Sequence, residues 1–164
     1  KYFEMALERE PNNFYALFGL ADSYRGMNQQ NKSVFYWNKI LEIDPNNKVI
    51  LTRAGDAYRT SGNFEEAKKY YGKALEIDFD VYAAIGLALI CKGEGNYNEA
   101  ISRLENLIKS DPKNSRLYID LAECYDAMNN KVQAAKVLND YLKFDNRNSA
   151  VRNALEKINR KYYA

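Results

Sequence analysis

Ala67-Lys68-Lys69-Tyr70-Tyr71-Gly72-Lys73-Ala74-Leu75-Glu76-Ile77-Asp78 restates Ser33-Val34-Phe35-Tyr36-Trp37-Asn38-Lys39-Ile40-Leu41-Glu42-Ile43-Asp44, 34 residues earlier. Each stretch opens on a small residue, sets a ring four positions on, and closes on Leu-Glu-Ile-Asp. Prolines fall in step at Pro11, Pro45 and Pro112, with gaps of 34 and then 67 residues. A fixed period of this size marks a stack of supersecondary units, not one core that grows with chain length.

Within the period the sequence predicts two helices and a short turn. Leu51, Ala54, Gly55 and Tyr58 recur at steps of three and four, which puts them on one helical face. Ser61-Gly62-Asn63 then breaks the pattern. Glycine suits the left-handed residue that ends a helix, and asparagine suits the cap that opens the next. Glu66 stands three after Asn63 in a capping-box arrangement, repeated by Asn96 with Glu99 and Asn130 with Gln133. Gln29 and Lys32 break that pairing, so a looser helix start is expected there. Asn28 and Asn129 replace the turn glycines Gly62 and Gly95; Asn is the next best residue for the left-handed conformation.

The second helix is expected to pack through Ala67, Tyr71 and Ala74. Its counterparts are Ser33, Trp37 and Ile40, then Ala100, Leu104 and Leu107, then Ala134, Leu138 and Tyr141. Small residues in the first column let two helices approach, and large ones in the second fill the gap to the next unit. Helix ends are predicted at Asp44-Pro45 and Asp111-Pro112, because proline disfavours helix at the residue before it and suits the start of the next helical region.

At these residues the chain resembles the tetratricopeptide repeat family. That family has a large residue, Leu, Gly or Ala and Tyr in the first helix, then Ala, an aromatic and Ala in the second, then Pro. The second unit carries Leu51, Ala54, Gly55, Tyr58, Gly62, Ala67, Tyr71 and Ala74. The first carries Leu17, Leu20, Ala21, Tyr24, Trp37 and Pro45; the third Ala84, Leu87, Ala88, Cys91, Gly95, Ala100 and Pro112; the fourth Tyr118, Leu121, Ala122, Tyr125 and Ala134. The resemblance implies an all-α, right-handed superhelical α-solenoid, with repeats at 14–47, 48–80, 81–114 and 115–148. The second is one residue short, because Asp78-Phe79-Asp80 stands where Asp-Pro-Asn-Asn is expected. The fourth ends in Asp145-Asn146 without the proline.

Residues 1–13 fit the second helix of a truncated repeat, with Phe3, Ala6 and Pro11 in the aromatic, small and proline columns. Its first helix would lie before Lys1, so the chain is expected to be a piece of a longer one. Residues 149–164 read as a capping helix, with Val151, Leu155 and Ile158 on one face and Arg152, Glu156, Lys157, Arg160 and Lys161 on the others. A polar outer face keeps the end of a stack soluble, and the basic end complements the helix dipole; a small basic docking patch is the alternative reading.

Composition narrows the function. Of 164 residues 46% are hydrophobic and 28% charged, ordinary for a folded protein. The net charge is only +2, with no concentrated basic stripe for a nucleic acid or anionic membrane. No apolar run is long enough to span a bilayer. Histidine is absent, which removes the commonest general base and metal ligand. No Gly-rich phosphate loop, metal-ligand spacing or nucleophile motif appears, so no catalytic residue, metal or cofactor is expected. Cys91 and Cys124 are too few for a disulfide framework; two buried free thiols are expected, leaning towards a reducing, cytoplasmic compartment.

A stack with a small rotation per unit has a concave side suited to binding. In the resembling family the first helix of each unit lines it. Carried onto this chain, the groove columns are Tyr15, Val49, Tyr82 and Arg116, then Phe18, Thr52, Ile85 and Ile119. Deeper stand Gly19, Arg53, Gly86 and Asp120, then Asp22, Asp56, Leu89 and Glu123, and last Arg25, Arg59, Lys92 and Asp126. The apolar members need a reason to face water, and neither sign of charge dominates. That combination suits a peptide or amphipathic helix of mixed charge from another protein. For Asp22 with Arg25 and Asp56 with Arg59, plain same-helix ion pairing is the equal alternative. Some family members clamp the C-terminal carboxylate of chaperones with Lys, Asn and Arg. The matching positions here hold Phe18, Asp22, Arg53, Tyr82 and Gly86, or Thr52, Asp56, Gly86, Arg116 and Asp120, which do not fit. The expectation is therefore a protein-interaction scaffold; the repeat region of a larger enzyme, catalytic elsewhere, is the alternative. Self-association is left open.

Overall fold

The computed structural model describes residues 1–163, of which 161–163 through the backbone alone. Its regular elements are all α-helical: α1 (Tyr2–Arg9), α2 (Phe14–Gly26), α3 (Gln30–Ile43), α4 (Lys48–Thr60), α5 (Phe64–Ile77), α6 (Val81–Gly93), α7 (Tyr97–Ser110), α8 (Ser115–Ala127), α9 (Lys131–Leu142) and α10 (Ser149–Tyr163). Two compact units divide the chain, Lys1–Leu87 and from Ala88 onward.

The four tight turns are copies of one another. Asn28, Gly62, Gly95 and Asn129 have φ of 57°, 84°, 80° and 60°, the left-handed region expected of them. After each, the next N–H reaches back to the leading helix: Gln29 to Tyr24, Asn63 to Tyr58, Asn96 to Cys91 and Asn130 to Tyr125, all at 2.8–2.9 Å. That bond satisfies a carbonyl the helix end would otherwise leave open.

The caps follow the expectation in part. Asn63 Oδ1 accepts from the Glu66 N–H and Asn130 Oδ1 from the Gln133 N–H. Gln29 makes no capping bond, the looser start expected; Asn96 makes none either, against expectation, although its backbone angles match those of Asn63. The inter-repeat junctions supply further caps. Asn13, Asn47 and Asn148 accept from the N–H groups of Ala16, Ile50 and Val151. α3 and α7 end just before their Asp-Pro steps. Without a proline, α9 closes at Leu142 in a tightened turn whose Phe144 and Asp145 N–H groups share the Tyr141 carbonyl.

In the first unit α1 packs on α2, α2 on α3, α3 on α4 and α4 on α5. Its core joins Leu17, Ala21, Trp37, Ile40, Ile50, Ala54 and Ala57. Trp37 and Tyr71 are fully buried; removing a side chain of that size from water contributes about 1.5–3 kcal/mol. Ser33, the small residue of its column, tucks its hydroxyl onto the Ala21 carbonyl at 2.8 Å and so holds α3 against α2. In the second unit α7 packs on α8, α8 on α9, and α10 on both α8 and α9. Leu104, Leu117, Leu138 and Val151 are fully buried there. The second-helix columns named from the sequence are thus buried in every repeat. Val151 and Ile158 are buried on α10 and Leu155 half-buried, while Arg152, Glu156, Lys157 and Arg160 stay exposed. The Lys161 side chain and Ala164 lie outside the described residues. Both cysteines are free, but only Cys124 is buried; Cys91 is half-buried.

Candidate functional site

The leading helices of the first unit, α2, α4 and the start of α6, each present the residue two past the cap. Those residues are Tyr15, Val49 and Tyr82, 81%, 55% and 70% exposed. The residues just after them turn into the core: Ala16 and Leu17, Ile50 and Leu51, Ala83. Successive helical positions point about 100° apart, so burying those leaves their predecessors in water. Beside Val49 and Tyr82 lies a cleft of about 630 Å³, lined also by Lys48, Thr52, Arg53, Asp56, Phe79, Asp80 and Val81.

Thr52 departs from the sequence expectation of an exposed groove residue. It is only 5% exposed, and its hydroxyl donates to Asp80 Oδ2 at 3.2 Å. The short junction explains this. With one residue fewer and no proline, Asp80 becomes the cap of α6: its Oδ1 accepts from the N–H groups of Tyr82 and Ala83. Its other oxygen then reaches α4. Phe79 is left exposed, and Lys48 donates to its carbonyl at 3.2 Å. Phe18 is also not free. Half-buried, it meets Trp37 edge-on with ring centroids 5.1 Å apart.

Further along, Arg25 donates to Asp22 through Nε and Nη2 at 2.9 and 2.8 Å. Arg53 approaches the same oxygen only to 4.0 Å. Asp56 and Arg59 are more than a same-helix pair. The Tyr71 hydroxyl, from α5, donates to Asp56 at 2.5 Å and accepts from Arg59 Nε at 3.1 Å. Burial pushes the Asp56 carboxyl above the usual carboxylate range, opposed by the Tyr71 hydrogen bond and by the charges of Arg59 and Arg53. Burial first, then the Asp56 charge, pushes the Tyr71 phenol up. The ring reaches this site because two glycines let it through. A Cβ on Gly55 would lie 2.7 Å from the Tyr71 ring and one on Gly86 2.3 Å. Gly19 makes the same allowance for Phe3, at 2.4 Å. Ile85 is half-buried beside them.

In the second unit the face is built on charge. Lys92 Nζ donates to Asp120 at 3.1 Å and also to Glu123, and Arg116 Nε donates to the other Asp120 oxygen at 3.2 Å. Asp120, expected in the groove, is buried beneath these cations. Burial works against the Lys92 charge, yet Glu123 and Asp120 together hold its pKa above the ordinary lysine value. Burial pushes the nearby Cys124 thiol up to about 11, so it is no nucleophile near neutral pH. Ile119 and Glu123 line a second cleft, of about 600 Å³, between α8 and α10, floored by Ala122, Ala150 and Ala154. Leu89 is half-buried on α6, and Asp126 borders the same α8–α10 cleft.

Sequence reasoning missed Tyr71, Asp80, Phe79 and Lys48 as parts of this face. Two signals were present: the glycines opposite a large ring, and the missing residue at the junction. Among the described residues no group of three His, Cys, Asp or Glu is placed to hold a metal ion, and no helix is long and apolar enough to cross a membrane.

Models of the tetratricopeptide repeat family match residues 15–47, 50–81 and 93–158. No curated protein sequence matches the chain. Among solved structures, a tetratricopeptide repeat protein from Parabacteroides merdae aligns at a TM-score of 0.88 and 24% identity, over 98% of this chain and 63% of its own. This chain therefore spans less than two thirds of that protein. A thermophilic repeat protein of the same kind from Thermus thermophilus aligns at 0.78 and 18% identity, over 95% of this chain and 86% of its own. PilW, described as a widely conserved type IV pilus biogenesis factor, aligns at 0.78 and 19%, over 98% and 79%. At such identities the likeness speaks for the fold, the all-α solenoid. Because the family matches cover most of the residues from Tyr15 to Ile158, the chain belongs to the tetratricopeptide repeat family.

Proposed function

We propose that the leading-helix face of the first unit binds a segment of another protein, and that the chain acts as an interaction scaffold without chemistry of its own. The observation that carries this is the row of exposed Tyr15, Val49 and Tyr82, one from each leading helix of the first unit, the last two lining one cleft. Isolated exposed apolar residues are common on any protein, but a set recurring at one repeat position along a cleft is the pattern of an interaction site. Asp22, Arg25, Arg53, Asp56 and Arg59 continue the face with balanced charge, which suits a peptide or amphipathic helix of mixed charge. It suits a nucleic acid poorly, since that needs a concentrated basic surface and here acids are interspersed with the cations. Arg116, Ile119 and Glu123 give the second unit a contact region of its own.

Short random peptides displayed on phage and selected on the wild-type protein supply ligands for the test. Val49→Asp and Tyr82→Asp should each weaken the selected peptides by about tenfold or more in fluorescence polarisation, as loss of an apolar anchor does. Circular dichroism should show the helix content intact. Unchanged affinity in both variants overturns the proposal.

A further inference from the structure

We infer that the partner segment carries an aspartate or glutamate side chain, placed next to an apolar residue, and that Arg53 receives it. This rests on the first unit's face being the binding site. The carboxylates in and beside the cleft each already hold a donor. Asp80 holds two N–H groups with one oxygen and Thr52 with the other. Asp56 accepts from Tyr71, and Asp22 holds both Arg25 nitrogens. The other cations are also engaged: Arg59 on the Tyr71 hydroxyl and Lys48 on the Phe79 carbonyl. Arg53 differs. It lines the cleft with its side chain 38% exposed, and among the described residues its only charged neighbour within ion-pair distance, Asp22, is 4.0 Å away. Among the described residues its guanidinium makes no hydrogen bond, so its donors await an acceptor from outside.

Of the acceptors an unmodified protein segment offers, a carboxylate is the one that matches a guanidinium in both charge and fork geometry. A side chain fits better than a chain terminus, because one guanidinium satisfies one carboxylate and no Lys or Asn stands by at the clamp positions. Val49 lies one helical turn before Arg53 on α4, and such residues are about 5–6 Å apart at Cβ. The ligand must therefore bring its acid and its apolar side chain equally close: one turn apart in a helix, or two residues apart in an extended strand.

The displayed peptides test this. Those selected on wild type should be enriched in Asp or Glu at that spacing from Leu, Ile, Val or Phe. Replacing the acid of the best peptide by its amide should weaken it about tenfold on wild type, and hardly at all on Arg53→Gln. Arg53→Lys, which keeps the charge but not the fork, should fall between them. Amidating the peptide's C-terminus should change nothing; a loss there overturns the side-chain assignment. No acid enrichment, or discrimination that survives in Arg53→Gln, overturns the inference. If Val49→Asp abolishes binding while Arg53→Gln leaves discrimination intact, this inference alone fails. If Val49→Asp has no effect, or if wild type selects no peptide, the binding site itself fails and this goes with it.

Discussion

The two units follow one repeat but fill it differently. The first is held by rings: Tyr24 stacks on Tyr36 with centroids 5.7 Å apart, Tyr58 tilts onto Tyr70 at 5.0 Å, and Phe18 meets Trp37. Asn38 joins two of these by accepting from Tyr70 at 2.7 Å and donating to Tyr58. The second is held mainly by Leu104, Leu117, Leu138 and Val151, with one buried ring pair, Tyr118 tilted onto Tyr141 at 5.1 Å, and its face by Lys92, Arg116, Asp120 and Glu123. The Tyr71 ring lands on bare backbone at Gly86 and Gly55, as Phe3 does at Gly19; Trp37, in the same column as Tyr71, is buried although Ala21 and Arg53 stand at the matching positions. Where the column holds Leu104, the Gly86 position of the following repeat holds Asp120. The fold tolerates either filling because the turns and helix lengths are set locally. The choice of filling decides what the exposed face offers.

The largest effect expected from breaking this contrast is Tyr71→Ala. It empties a fully buried site and should cost about 3–5 kcal/mol in urea unfolding, with amide exchange rising first in the first unit. Next is the coupling between ring and glycine. Gly86→Ala should cost about 1–3 kcal/mol by overpacking, but much less in a Tyr71→Leu background, which imitates the second unit. Equal costs in both backgrounds would show that the ring does not impose the glycine. In the second unit, Lys92→Ala leaves the buried Asp120 with Arg116 alone. It should cost about 1–3 kcal/mol, whereas a surface ion pair would give much less.

A smaller effect is the pH dependence of the first unit. The folded Asp56 carboxyl sits above its unfolded value, so the native state binds its proton more tightly. Its contribution to stability therefore rises as pH falls through the raised folded pKa towards the ordinary value, and is lost at neutral pH. Wild type should gain stability relative to Asp56→Asn between neutral and mildly acidic pH; a difference that shrinks there contradicts the burial argument. Smallest is the capping contrast. Asn63→Ala should cost about 1 kcal/mol, and Asn96→Ala, which removes no capping bond, markedly less.

Much of the fold was legible in the chain. Period, turn and column are properties of residues close in sequence. The left-handed Asn28 and Asn129, and the buried column from Ser33 to Tyr141, could be named from spacing. The face was legible only as a set of positions. Thr52 looked exposed because its column faces outward, and it is buried because Asp80, 28 residues on, reaches back to it. Asp56 and Arg59 looked like a self-contained pair until Tyr71 arrived from the next helix.

The sequence by itself determined the repeat, its helices and the rows that point one way, because those depend on the helical period and on the backbone preferences of Gly, Asn and Pro. Only the tertiary structure decided which side chains of a row remain available. Availability depends on partners contributed from neighbouring helices, and spacing along one helix carries no record of them. That is why Arg53, alike in type to Arg25 and Arg59, is the one of the three whose guanidinium makes no hydrogen bond among the described residues.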